Sequence, residues 1–296
     1  MTLSPQAIRD RKAGGGDVNF AVIVRSIGER SEGLALQSAE LETGSKAILL
    51  SGFKPSYRVY EKMFQTAVNS DFDWFLALDA DTVLFPGWLT LVNEKISQIK
   101  GDETFKFFYK VYDPIFHDIR GRGHHIYNRS HIEKAIAALS ENVSLINSGW
   151  LKRMLHSREY ILKPESSLKH RMRKKYGLKT FMFPEVAGVH GAQQYFSEII
   201  RTFIIRANRE PSLEREYAFL RQKQPSDLDR LAAKVGWDFG LKRKVDAIDS
   251  GNADVLKKLM QENGLVEKGK IDLSYGDFVS KYRPLAEGFG CLPSKR

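Results

Sequence analysis

Apolar residues fall in short blocks along the first half of the chain, and the spacing of the blocks alternates between two patterns. Phe20-Ala21-Val22-Ile23-Val24 is a continuous apolar run of strand length, and Ala47-Ile48-Leu49-Leu50, closed by Ser51-Gly52, is a second. Trp74-Phe75-Leu76-Ala77-Leu78 and the segment from Phe105 to Tyr112 predict two more strands. Between these runs the period lengthens. Residues 32–42 carry Leu34, Leu36 and Leu41 among good helix formers, and residues 56–68 set Tyr60, Phe64 and Ala67 on one helical stripe. Pro86-Gly87 opens a further helix through Trp88, Leu91, Val92 and Ile96. Strands alternating with helices over short links predict an α/β domain whose mostly parallel sheet is covered by helices.

The second half reads differently. Ser130 to Leu139 predicts a helix, and Glu165 to Tyr176 a very basic one closed by Gly177. Thr180 to Phe183 predicts a short strand ended by Pro184. From Ser197 onward the pattern is helical with polar links, broken at Pro211, Pro225 and Gly251. The chain therefore divides into a loose leader at 1–16, jointed by Gly14, Gly15 and Gly16; an α/β domain at 17–195; and a helical C-terminal extension at 196–296.

Composition narrows the functional classes. With 296 residues and 42% hydrophobic positions the chain can bury a core without a covalent or metal staple. Cys291 is the single cysteine, which excludes a disulfide framework and a thiolate zinc site. No uncharged apolar stretch reaches the ~18 residues of a spanning helix, and Met1 to Gly16 has no apolar segment of the kind that directs secretion. A cytoplasmic location is the expectation. The net charge of +10 suggests an anionic partner, such as nucleic acid, an acidic membrane surface or a phosphorylated ligand, or else a basic surface that serves solubility alone.

The sharpest chemical feature is Asp79-Ala80-Asp81, delivered at the end of the third apolar run. Parallel α/β sheets bind ligands outside the carboxyl ends of their strands. Carboxylate oxygens suit Mg²⁺ or Mn²⁺, and such an ion neutralises a departing diphosphate. The alternative is a polar turn that only ends a strand. Asp79-Ala80-Asp81-Thr82-Val83 also resembles the nucleophile motif of haloacid-dehalogenase-type phosphatases, in which Asp79 would attack phosphorus. Two strand–helix units precede it here, whereas that motif stands near the domain start.

A broader resemblance covers residues 18–195. Arg25-Ser26-Ile27-Gly28-Glu29-Arg30 follows the first strand; Asp79-Ala80-Asp81 is followed by Phe85-Pro86-Gly87-Trp88-Leu89; then come Gly123-His124-His125-Ile126-Tyr127-Asn128-Arg129, Glu165 with its basic helix, and Phe183-Pro184-Glu185-Val186-Ala187-Gly188-Val189-His190. In that order the segments resemble a GT-A glycosyltransferase domain of the family 2-like bacterial type, a Rossmann-like nucleotide-diphospho-sugar transferase. The resemblance implies a nucleotide-sugar donor held by Arg25, Ser26, Glu29, Arg30, Asp79 and His125. It implies Mn²⁺ or Mg²⁺ on Asp79, Asp81 and His190, and Glu165 as the base that deprotonates an acceptor hydroxyl. Ser166 stands where relatives carry Asp, so inversion and retention both stay open.

The same resemblance implies a saccharide or lipid-linked acceptor and a part in cell-surface polysaccharide synthesis. His124 and His125 are adjacent, so on a strand they point to opposite faces; one buried and one exposed is as good a reading as a substrate role. Lys169-His170-Arg171-Met172-Arg173-Lys174-Lys175 reads first as a solvated helix face. With the apolar–basic segment at 196–209 it also offers a surface to an anionic membrane. Nucleic acid is not expected, because the basic run is not interleaved with aromatic residues.

Overall fold

The computed structural model describes residues 18–53, 57–121, 123–147, 164–209, 228–242, 253–290 and 292. The predicted leader, the break points Pro211, Pro225 and Gly251, and Cys291 lie outside the described residues.

Strand β1 (Phe20–Ser26) leads to α1 (Glu32–Thr43), β2 (Ile48–Ser51), α2 (Tyr57–Val68), β3 (Trp74–Asp79), β4 (Thr82–Leu84) and α3 (Trp88–Gln98). Next come β5 (Thr104–Asp113), β6 (Asp118–Arg120), β7 (His124–Asn128), α4 (Ile132–Asn147), α5 (Pro164–Tyr176) and β8 (Lys179–His190). The chain continues through α6 (Phe196–Arg209), α7 (Leu228–Lys242), α8 (Ala253–Glu262) and α9 (Tyr275–Glu287). The eight-stranded sheet has the order β2-β1-β3-β7-β5-β8-β4, with β6 paired to β5. Strands β1, β2, β3, β5 and β8 run one way, and β4, β6 and β7 are opposed. This is the mostly parallel α/β sheet that the apolar blocks predict. Its carboxyl edge gathers the ends of β1, β3, β5 and β8 and the starts of β4 and β7.

Alternation along each strand builds two cores. Trp74, Leu76 and Leu78 face α1 and α3 with Val22, Val24, Phe107 and Trp88. Phe75 and Ala77 face α2, α4 and α5 with Ile23, Phe64, Tyr127, Ile132 and Leu168. A strand buried on both faces has no polar alternation, which is why β1 and β3 read as unbroken apolar runs.

Besides β4, β6 and β7, which the apolar blocks did not predict, two parts of the chain differ from the pattern reading. Strand β8 does not stop at Pro184 but runs on to His190. Its register against β5 slips between Phe108↔Met182 and Lys110↔Val186. Pro184, which has no N–H to donate, sits in that irregularity, where the ladder does not need one. The C-terminal helices also return to the sheet. Tyr275, Phe278, Tyr282 and Ala286 of α9 share a core with Val83, Phe85, Val186 and Val189, and the Tyr275 hydroxyl donates to the Leu84 carbonyl at 2.8 Å. Helices α6, α7 and α8 form a fourth core that also takes in Ile115 at the end of β5.

Candidate active site

Strand register explains which side chains meet. Arg25 is the direct neighbour of Asp79 across the parallel β1–β3 pair, and their side chains form an ion pair at 2.7 Å. His125 pairs with Ala77, and Tyr127 with both Phe75 and Lys106. All five therefore share the sheet face that α5 covers, and α5 brings Glu165 down onto them. Glu165 Oε1 accepts from Lys106 Nζ at 2.8 Å, His125 Nε2 at 2.8 Å and the Tyr127 hydroxyl at 2.9 Å. The Tyr60 hydroxyl stands 3.5 Å from Oε2, and the Arg25 guanidinium lies over the Tyr60 ring.

The protonation states follow from this geometry. A carboxylate only accepts, so His125 carries its proton on Nε2. Its Nδ1 is 3.4 Å from the Lys106 ammonium and acts as acceptor, so the ring is neutral. Burial first, and then Lys106 and Arg25, bring its pKa down to about 4, against the pull of Glu165. For Glu165, burial pushes upward, but His125, Lys106 and Arg25 outweigh it and hold the carboxyl well below the usual range. A carboxylate held this way is a weak proton acceptor. Lys106, 2% exposed, is lowered by burial despite Glu165 beside it.

Asp81 looks the other way. Strands β3 and β4 are separated by a single turn, and that turn rotates the second carboxylate away from Arg25 and toward the end of β8. Gln194 Nε2 donates to Asp81 Oδ2 at 2.8 Å, and His190 Nε2 is 3.4 Å from the same oxygen. The approach of β7 to this corner requires Gly123. It sits at φ +81°, and a Cβ there would come within 2.1 Å of Thr82 Oγ1 and 2.8 Å of His190 Cδ2. Asp81 Oδ1 and His190 Nδ1 are buried without a hydrogen-bond partner among the described residues.

The anticipated trio of Asp79, Asp81 and His190 is thus brought together in part: Asp81 meets His190, while Asp79 is paired with Arg25. No group of three His, Cys, Asp or Glu side chains able to hold a metal is found among the described residues. The donors still fit a hard cation that completes its shell with phosphate oxygens, because Mg²⁺ is usually held by only one or two carboxylates plus substrate phosphates. The surrounding field is negative. Burial pushes Asp79 up to about 6 against Arg25, with Asp81 and Glu165 adding to the rise, though the side chain is 39% exposed. Burial likewise raises Glu29, and Glu198 to about 7, and the charge of Asp81 adds to both.

The loop after β1 is closed on itself. Glu29 Oε2 accepts from the Ser26 hydroxyl at 2.8 Å and the Ile27 N–H at 2.7 Å, and the Gly28 N–H donates to Ser26 Oγ at 2.9 Å. Arg30 leaves this loop and clamps the C-terminal segment, donating to the carbonyls of Gly269, Lys270 and Gln193. Both histidines of the 124–125 pair are buried. His124 Nε2 accepts from the Tyr109 N–H at 3.1 Å on the opposite face of the sheet.

Sequence reading missed Lys106, Gln194 and Asp113. A lysine inside the apolar run Phe105-Lys106-Phe107 was the available signal for the first, since an unpaired charge is not buried in a central strand. Asp113 ends β5 as Asp79 ends β3, and it lines a cavity of about 160 Å³ shared with Asp81 and His190.

No protein-family profile matches the chain, and no curated protein matches it. Among solved structures it is similar to a glycosyltransferase involved in the glycosylation of the major capsid of PBCV-1, at 10% identity and a TM-score of 0.35, over 59% of this chain and 94% of that one. It is similar to a cytidylyltransferase from Leptospira borgpetersenii at 8% identity and a TM-score of 0.35, over 71% of this chain and 100% of that one. It is also similar to A197 from STIV at 15% identity and a TM-score of 0.32, over 40% of this chain and 68% of that one. Likenesses this distant set no activity.

Proposed function

We propose that the chain is a glycosyltransferase of the GT-A type, moving a sugar from a nucleotide-sugar donor to an acceptor hydroxyl. The observation that supports the reading is the meeting of Asp81 and His190 beside a cavity at the carboxyl edge of the sheet, with Asp79 and the β1 loop at the same edge. Asp81 and His190 would hold Mn²⁺ or Mg²⁺ together with the donor phosphates. When bound, the cation supplies positive charge to the leaving diphosphate.

The remaining roles belong to the chain's own groups. Arg25 fixes the Asp79 carboxylate, leaving its solvent edge to accept from a ribose hydroxyl. The loop of Ser26 and Glu29, rigid through its own hydrogen bonds, presents backbone groups to the nucleoside. Arg30 braces that loop against the C-terminal segment. His125 and Lys106 orient Glu165 through Oε1, which leaves Oε2, 3.5 Å from the Tyr60 hydroxyl, as the oxygen to take the acceptor proton. The acceptor is a saccharide, free or carried on a lipid, and the product a cell-surface polysaccharide. Arg171 and Lys175 bridge to Glu141 of α4, so the basic run of α5 serves partly to join two helices. No helix among the described residues is long and apolar enough to cross a membrane.

Incubation with a panel of nucleotide sugars and Mn²⁺, reading nucleoside diphosphate release, tests the proposal. At least one donor should be hydrolysed or transferred, and Asp81→Asn should lower that rate by about 10²-fold or more. Release of inorganic phosphate from a phosphomonoester, dependent on Asp79, would replace the reading with a haloacid-dehalogenase-like phosphatase. Nucleotide-sugar binding without turnover would leave a binding protein.

A further inference from the structure

The cavity beyond Asp81 has a wall that the motifs did not anticipate. Its volume is about 160 Å³, enough for one small ring. Asp81 and Gln194 line one side, Asp113 and Phe116 the end of β5, and Thr202 and Arg206 the flank of α6.

The chemistry of these walls is mixed, with carboxylates, a guanidinium, an amide and aromatic rings. Asp113, 3% exposed, spends Oδ1 on the N–H groups of Ile115 and Phe116 at 3.2 and 3.4 Å. Its Oδ2 has Arg120 Nε at 3.9 Å, beyond hydrogen-bond length, and so keeps acceptor capacity. Gln194, 8% exposed, has its amide nitrogen on Asp81. Phe116 is held between the Arg120 guanidinium, 3.8 Å from its centroid, and the Phe203 ring, stacked at 5.4 Å. Away from the Asp81 corner, where a cation would stand between carboxylate and phosphate, the buried Asp113 carboxylate disfavours an anion. Buried amide, carboxylate and guanidinium groups disfavour a lipid tail. A neutral polyol uses both the polar groups and the fixed apolar ring.

Resting on the glycosyltransferase reading, we infer that this cavity takes a single neutral sugar ring and that Asp113 is a specificity-determining residue, accepting from one of its hydroxyls. Helix α6 then belongs to the site as a wall of the sugar pocket.

The test uses the full chain and two variants. Thr202→Trp fills the cavity from α6, and Asp113→Asn keeps the shape while weakening the acceptor. Saturation-transfer NMR with free glucose, galactose, mannose and N-acetylglucosamine, in the presence of nucleoside diphosphate and Mn²⁺, reads ring binding directly. Calorimetry reads the affinities of nucleoside diphosphate and of its sugar conjugates. Wild type should show saturation of at least one monosaccharide, abolished by Thr202→Trp. Asp113→Asn should weaken the preferred sugar by about tenfold or more while changing deoxy analogues that lack the contacted hydroxyl much less.

If the conjugate loses its advantage over the free diphosphate in Thr202→Trp, the ring is the donor's. If that advantage survives and the acceptor KM rises, the ring is the acceptor's. Unchanged sugar binding in both variants, or saturation of no monosaccharide by wild type, overturns the inference. Monosaccharide binding that Thr202→Trp abolishes, in a chain that binds no nucleotide, upholds the pocket and removes the transferase reading instead.

Discussion

Glu165 shows how the role of a single residue depends on its donors. From its place before a basic helix it reads as a base; in the fold its Oε1 accepts three hydrogen bonds and balances the buried charge of Lys106. Breaking a buried ion pair by removing one partner costs more than removing both, because the survivor keeps its desolvation penalty without compensation. Lys106→Met should therefore destabilise the fold by about 3 kcal/mol, and the double variant Lys106→Met/Glu165→Gln should recover much of that loss. Guanidinium unfolding of the two variants checks this; equal losses would mean that the pair is not coupled. A second sign follows from His125. Its folded pKa of about 4 lies below the ordinary imidazole value, so its contribution is complete above about pH 6.5 and fades as pH falls toward 4. Glu165, held low, adds a loss of the same sign at still lower pH.

Helices α6 and α7 cross with their backbones in close approach. A Cβ at Gly236 would lie 2.3 Å from the Ile200 carbonyl oxygen, and one at Gly240 would lie 2.8 Å from both the Ile204 oxygen and Ala207 Cβ. The obstacle is main chain, which has no rotamer to change, so the helices themselves would have to separate. Gly236→Ala should cost about 1–3 kcal/mol despite the higher helix propensity of alanine. A change within about 0.5 kcal/mol in chemical denaturation would refute the tight crossing. The N-terminus of α6 is fixed as well: the Phe196 and Ser197 N–H groups donate to the Glu267 carboxylate at 2.7 and 3.2 Å. A helix pinned at its start and along its face makes a firm wall for the cavity it lines.

Over the whole molecule, Glu29, Asp79, Asp81 and Glu198 create a negative corner from three separate stretches of chain; burial, with neighbouring carboxylates adding to it, raises Glu29 and lifts Asp79 to about 6 and Glu198 to about 7. A divalent cation has to displace those protons. Cation-dependent nucleoside diphosphate affinity should thus rise between about pH 5.5 and about pH 7.5, with protons released on binding. Calorimetry in buffers of different ionisation enthalpy measures both quantities, and an affinity flat across that range would detach these carboxylates from cation binding.

The sequence by itself determined five of the eight strands, most of the helices and the covering of the sheet by helices. Apolar runs such as 74–78 and the stripe of Tyr60, Phe64 and Ala67 are local patterns, and local patterns are read from neighbouring residues alone. It also marked the strand end bearing Asp79 and Asp81. What those carboxylates face was decided by register. Arg25 meets Asp79 because β1 and β3 are in parallel alignment, and Asp81 meets Gln194 and His190 because one turn sends β4 beside β8. Lys106, Asp113 and the return of α9 to the sheet belong to the same category. Each depends on partners dozens of residues away, and a one-residue slip in strand pairing would turn every one of those side chains to the other face.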